Sequence, residues 1–223
     1  MRQVVLDTET TGLSPDAGDR IVEIGCVELV HGVPSGRTYQ QYINPERDVP
    51  EEVVAVHGLS EDFLSDHPPF ADIVEELMEF LDDSALVIHN AEFDMGFINA
   101  ELERLGRPPL PLTRAIDTVR LARQKFPGAP ANLDALCRRF EIDITGRALH
   151  GALKDSHLLA LVYLELTGGR QADLALAGPD RRQGLASAAA TQRPARPHGS
   201  SDAETAAHDR FVEEKLVKPV WHD

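Results

Sequence analysis

Three acidic motifs fall at positions where their local patterns call for core residues. The first is Asp7-Thr8-Glu9, closing the apolar run Arg2 to Glu9. In a strand, residues i and i+2 point to one face, so Asp7 and Glu9 share a face with Val5. An uncompensated carboxylate on a core face costs several kcal/mol, and a cation is its natural compensation. An acid pair at a strand end also fits a solvated turn. The second motif is His89-Asn90-Ala91-Glu92-Phe93-Asp94, in which Asp94 heads the stripe Ile98, Leu102, Leu105. Glu92 and Glu101 lie off that stripe. An Asp in a first helical turn also gains from the helix dipole, but capping does not require the inward phase. The third is His150-Gly151-Ala152-Leu153-Lys154-Asp155, where Asp155 heads the stripe Leu158, Leu159, Val162, Leu166. The small residues between would leave His150 on a loop and fix Asp155 on the helix.

Four inward acids on three elements need cations. An all-carboxylate set suits Mg²⁺ or Mn²⁺; Zn²⁺ prefers His and Cys. Two such ions about 3.5–4 Å apart form a clamp for in-line displacement at phosphorus, one activating water and one stabilising the leaving oxygen. A base near that water completes the chemistry, and a histidine, with its ordinary pKa of about 6.5, suits the task; His150 is the candidate.

Several elements must position these groups. Arg2–Glu9, Ile21–Val30 and Thr38–Ile43 read as strands joined by short Gly-containing turns, which predicts an antiparallel meander. Phe70, Ile73, Val74, Leu77, Phe80 and Leu81 then recur at helical spacing behind Pro68-Pro69. A strand follows at Ala85–His89 and a helix at about Glu92–Leu105, stopped by Gly106 and Pro108-Pro109. Ala115–Val119 predicts a short strand leading into a helix to about Lys125. Asn132 predicts an N-cap for a helix carrying Leu133, Leu136, Cys137 and Phe140. The last core helix runs from about Lys154 to Leu166, before Gly168-Gly169. Strands followed by alternating helices and strands give an α/β fold, a mixed sheet with helices on both faces.

The chain has 223 residues, 42% hydrophobic and 26% charged, enough for a full core and incompatible with wholesale disorder. No apolar run approaches the ~20 residues of a membrane span. The N-terminal stretch is too soon acidic for a signal peptide, and Cys26 and Cys137 fit buried, reduced thiols, so a cytoplasmic protein is expected. The net charge of −15 argues against tight nucleic-acid binding by bulk electrostatics. That charge is uneven: residues 46–83 carry thirteen acids and one base, whereas 104–147 carry nine bases and four acids. Past about Leu176 the composition turns to Ala, Pro, Arg, Gln, Gly and Ser, the pattern of a flexible linker over 177–200. Ser201-Asp202-Ala203-Glu204 then has the form of a capping box, opening a helix with Phe211, Val212 and Leu216, and Trp221 follows Pro219. A tethered helix bearing large apolar groups has no core of its own, so its expected use is docking on a partner.

The ordered set Asp7-x-Glu9, Asp94 and His150-x₄-Asp155 resembles the three motifs of the DEDD 3′→5′ exonucleases, His subtype. Asp7–Gly12, Arg20–Gly25, Val56-His57-Gly58, Val87–Ala91, Leu133–Cys137, Leu149–Leu153 and Leu166–Gly169 resemble, within that superfamily, the proofreading epsilon subunits of bacterial DNA polymerase III. The resemblance covers about residues 2–176 and implies a ribonuclease-H-like fold and removal of nucleotides from a DNA 3′ end. It implies that Asp7, Glu9 and Asp155 ligate one metal, that Asp7 and Asp94 hold a second, and that His150 is the base. It further implies that the backbone around Thr8 and Thr10, with Glu9 and His57, holds the terminal nucleotide. Gln171-Ala172-Asp173-Leu174-Ala175-Leu176 resembles the peptide by which bacterial replication proteins bind the sliding clamp. The final residues, through Phe211, Leu216 and Trp221, would bind the polymerase alpha subunit. The expected organisation is an exonuclease domain over 1–170, a clamp peptide over 171–176, the linker over 177–200 and a polymerase-docking helix and tail over 201–223. Two rivals are a stand-alone exoribonuclease resembling ribonuclease T and a non-catalytic scaffold between polymerase and clamp.

Overall fold

The computed structural model describes residues 1–145, 149–168 and 199–215. The chain separates into two units; the first holds the described residues up to 168 and the second those from 199 to 215.

The first unit is built on strands β1 (Arg2–Thr10), β2 (Ile21–Val30), β3 (Val33–Tyr42), β4 (Ala85–Ile88) and β5 (Ala115–Asp117). They form one mixed sheet in the order β3-β2-β1-β4-β5, the first three antiparallel and the last two parallel to β1. The meander is as expected, with β3 starting five residues earlier than its apolar run. The helices are α1 (Glu51–His57), α2 (Glu61–Ser65), α3 (Phe70–Leu81), α4 (Ala91–Arg104), α5 (Thr118–Lys125), α6 (Leu133–Arg139) and α7 (Ala152–Thr167). This is the ribonuclease-H-like arrangement.

Alternation along β1 splits the core between the two faces. Val4 and Leu6 pack with Ile24, Leu86 and Ile88 against α3 and α4. Val5 packs with Val27 and Val87 against Leu159, Ala160 and Tyr163 of α7. The opposite flank of α7, through Leu158, Val162 and Leu166, closes on Ala122, Leu136 and Cys137 of α5 and α6. Both cysteines are buried. Asn132 accepts from the Ala135 N–H as the predicted N-cap of α6.

Three features depart from the sequence patterns. The short helices α1 and α2 lie in the acidic stretch, where few apolar residues recur to signal them. Glu101 is not on an outer face: it is buried, held by a bidentate pair with Arg20 (Nε–Oε1 2.6 Å, Nη2–Oε2 2.9 Å). An apolar stripe cannot reveal a buried acid whose partner comes from another element. Leu105, placed on the apolar stripe of α4, caps that helix and is exposed.

In the second unit, α8 (Asp202–Lys215) begins with the predicted reciprocal cap. Ser201 Oγ accepts from the Glu204 N–H at 3.3 Å, and Glu204 accepts from the Ser201 N–H at 2.9 Å. Phe211 is exposed on this helix. Gln171, Leu174, Leu176, Leu216 and Trp221 lie outside the described residues, as does nearly all of the expected linker. Among the described residues, no helix is long and apolar enough to cross a membrane.

Candidate active site

The site forms where β1 outruns its parallel neighbour. Pairing with β4 ends at Val5↔Val87, leaving Asp7, Thr8 and Glu9 at the carboxyl end of the sheet, where crevices form in open α/β folds. A cleft of about 410 Å³ opens there. Its lining includes Asp7, Thr8, Glu9, Asp94, His150 and Asp155, together with His89, Phe93, Asn132, Leu133, Asp134 and Arg138.

Each acid arrives as its element dictates. Asp7 and Glu9 point to the α7 face of β1 and are half-buried; Thr8 points to the α4 face and is buried. Asp94 and Asp155, each on the fourth residue of its helix, are only 3% exposed. Thr8 Oγ1 donates to Asp94 Oδ1 at 2.7 Å. Asn90 turns β4 into α4 with φ at 70°, a left-handed conformation that Asn tolerates better than most residues. His150 stands on the loop before α7, exposed, its Nδ1 3.2 Å from Asp155 Oδ2. Ligand atoms of Glu9, His150 and Asp155 lie within 4.8 Å of one another.

The electrostatics are those of acids buried and crowded together. The Asp7 carboxyl is pushed well above the usual carboxylate range, first by burial and then by Asp94, Glu9, Asp155 and Glu23. Asp94 is raised to about 7, chiefly by burial and further by Asp117, against the opposing hydrogen bond from Thr8. Neither Asp7 nor Asp94 has a Lys or Arg ion pair among the described residues. Carboxylate oxygens crowded into one cleft fit hard divalent cations.

Five of the expected site residues, Asp7, Glu9, Asp94, His150 and Asp155, therefore meet in one cleft with Thr8. Thr10 and His57 are not among the lining residues. The Thr10 hydroxyl donates to the Gly12 carbonyl at 2.6 Å. His57 ends α1 and is buried, its Nδ1 accepting from the Leu59 N–H at 3.0 Å. Burial holds its pKa below the usual histidine value, with the Thr10 carbonyl opposing and His150 adding to the effect. The sequence patterns gave no role to His89 and Arg138, and gave Asn132 only that of an N-cap. His89 stands within the second motif and Arg138 within the basic stretch, which are the signals that pointed toward them. Two further concavities adjoin the cleft: one shares His89 and Asn132 and carries Arg120 and Arg123, and the other shares Asn132 and Arg138 and carries Arg139.

Residues 4–163 match the family model described as Exonuclease. The chain belongs to the exonuclease family. This exonuclease is 56% identical over 174 residues to the DNA polymerase III subunit epsilon of Rickettsia felis, covering 77% of this chain and 76% of that protein. It is 42% identical over 237 residues to the DNA polymerase III subunit epsilon of Escherichia coli (strain K12), covering 99% and 97%. Among solved structures, Exonuclease X in complex with 5′ overhanging duplex DNA matches with a TM-score of 0.57 at 26% identity, over 74% of this chain and 90% of that one. The exonuclease is thus a member of the DNA polymerase III epsilon family, and the divalent metal chemistry of that family agrees with its donor set.

Proposed function

We propose how the cleft carries out the activity of a 3′→5′ exonuclease that proofreads DNA for a replicative polymerase. The observation that carries the reading is the meeting of four acids from β1, α4 and α7 around one cleft, with Asp7 and Asp94 raised above the usual carboxylate range chiefly by burial. Asp7, Glu9 and Asp155 would hold one divalent ion, and Asp7 with Asp94 a second, Mg²⁺ or Mn²⁺. Bound there, such ions supply an activated water and charge stabilisation at the leaving oxygen. His150 takes the proton of the attacking water. Its Nδ1 lies 3.2 Å from Asp155 Oδ2, a contact that orients the imidazole for this task. Water oxygen bonds to the terminal phosphorus and the P–O3′ bond breaks, giving a nucleoside 5′-monophosphate and a strand with a new 3′-hydroxyl. The backbone around Thr8 and Thr10, with Glu9, would hold the terminal nucleotide, and His57, buried outside the cleft lining, would back that segment through its interaction with the Thr10 main chain. Arg138 in the cleft wall and Arg120 and Arg123 beside it guide the strand by its phosphates.

A chain this acidic needs little DNA affinity of its own when it is tethered beside the primer end, because linkage raises the effective concentration. Residues 171–176 would bind the sliding clamp, and 201–223, including Phe211, Leu216 and Trp221, the polymerase alpha subunit, all in the cytoplasm. Deleting 201–223 should spare hydrolysis and abolish co-purification with the polymerase; binding that survives the deletion would refute the assignment.

The deciding experiment follows single-stranded oligonucleotides, labelled to report the 3′ end, with Mg²⁺, with Mn²⁺ and with chelator. Metal-dependent, stepwise shortening of DNA from the 3′ end is expected. Internal cleavage, metal-independent cleavage or a strong preference for RNA would overturn the reading.

A further inference from the structure

Glu23 takes no part in the chemistry above, yet it is a fully enclosed carboxylate next to the site, 2% exposed on β2. Both of its oxygens are engaged. Oε2 accepts the main-chain N–H of Ala152 at 3.0 Å, and Oε1 accepts from Gln40 Nε2 at 2.8 Å. Ala152 is the first residue of α7, whose N-cap, Gly151, has no side chain to offer the free N–H groups of the first turn. An acid from a neighbouring strand thus does what an N-terminal Ser or Asp usually does.

The contact is not isolated. Two residues along β2, a Cβ on Gly25 would overlap the backbone of Ala152 and Leu153, so α7 can sit this close only over a glycine. The Gly25 carbonyl accepts from Ser156 Oγ at 2.8 Å. Ala152, Leu153 and Ser156 bracket Asp155, and His150 stands two residues before Ala152. In the antiparallel register of β1 and β2, Glu23 is the partner of Glu9 and Gly25 is the partner of Asp7. The two residues that grip α7 are therefore cross-strand neighbours of the two acids that α7 must face.

We propose that Glu23 is a positioning residue for the exonuclease reaction: with Gly25 it seats the first turn of α7 on β2, which sets His150 and Asp155 in register with Asp7 and Glu9. The proposal rests on the reading that these four side chains act together. Its logic is that of supports around metal ligands, which fix ligand direction without touching substrate.

The test uses the full chain and the variants Glu23→Ala, Glu23→Gln and Ser156→Ala. In metal-free protein, hydrogen exchange of the first turn of α7 is compared with that of α3. Glu23→Ala should speed exchange in α7 and leave α3 unchanged. On single-stranded DNA it should lower kcat by about 10–100-fold with KM preserved, and raise the Mn²⁺ concentration needed for half-maximal rate. Glu23→Gln keeps an oxygen for the Ala152 N–H and should recover most of the rate, and Ser156→Ala should show a smaller loss than Glu23→Ala. Unchanged exchange in α7, an unchanged kcat in Glu23→Ala, or faster exchange spread equally over α3 and α7 would each overturn the proposal. Were the wild type itself inactive, the functional reading would fall, and the exchange comparison would still decide whether Glu23 seats the helix.

Discussion

Helices α4 and α7 lie on opposite faces of the sheet, yet each delivers an aspartate from its fourth residue to the end of β1. They hold that aspartate differently. Asp94 is tied directly, by the hydroxyl of Thr8. The side chain of Asp155 meets His150 of its own segment, and its helix is fastened to β2 by Glu23 and Ser156. The difference follows from the period of a strand. In Asp7-Thr8-Glu9 the middle residue faces α4 and the outer two face α7, so one tripeptide addresses both helices. On the α4 side the strand supplies a hydroxyl that reaches the acid, whereas on the α7 side it supplies further acids, and the helix must be anchored elsewhere.

The largest effect should come from removing the acid on the α7 side. Asp155→Ala should reduce hydrolysis to background, at least about 10⁴-fold, because several kcal/mol of charge stabilisation disappear together. Circular dichroism should show an intact fold. Measurable turnover would mean that α7 contributes packing and not chemistry. His150→Ala should cost about 10²–10⁴-fold in kcat, the range for losing a positioned base, with the metal requirement retained. A fall in metal affinity with kcat preserved would instead make His150 a ligand, a role its place within 4.8 Å of Glu9 and Asp155 would permit.

On the α4 side the decisive change is Thr8→Val, which keeps the shape of Thr8 and removes its donor. A hydrogen bond to a charged group contributes about 1.5–3 kcal/mol, so a loss of about 10–100-fold in kcat is expected. Loss of that donor should also leave the Asp94 carboxyl harder to ionise, since the bond from the Thr8 hydroxyl is the largest of the hydrogen bonds that oppose burial there. A steady-state pH profile of the variant should therefore have its acidic limb moved upward. A rate equal to wild type would show that α4 needs no tie from β1.

The same asymmetry sets how much the sequence disclosed. Asp94 and Asp155 were legible because each heads an apolar stripe, a pattern that follows directly from helical period. Asp7 and Glu9 were legible from strand period. Glu23 carried no such mark, because an acid on β2 gains its meaning only when the fold brings Ala152, more than a hundred residues later, against it. Glu101 was misplaced for a related reason, its buried pair with Arg20 joining α4 to the start of β2. Helices α1 and α2 were missed since their short, acidic sequences carry no apolar repeat; α2 is capped by the Ser60 side chain, and α1 ends at Gly58 in a left-handed conformation.

The smallest effect is also the cleanest probe of the Asp94 side, because it needs no catalysis. An unfolded Asp titrates near 3.9, and folded Asp94 near 7. Below about pH 4 both states hold the proton and Asp94 makes no difference to stability. From there to about pH 7 the folded state binds more protons than the unfolded one, so the stability of metal-free protein should fall as pH rises, Asp7 acting in the same direction. Asp94→Asn removes that penalty while keeping an oxygen to accept from Thr8. It should therefore raise the Tm of metal-free protein by a few degrees at pH 8 and leave it unchanged at pH 4. Added Mg²⁺ should stabilise the wild type more at pH 8 than at pH 5, since ligands must ionise to bind. A Tm that falls at pH 8 in Asp94→Asn would mean that this carboxyl is compensated inside the protein, and the argument from α4 to a metal ion would then fail.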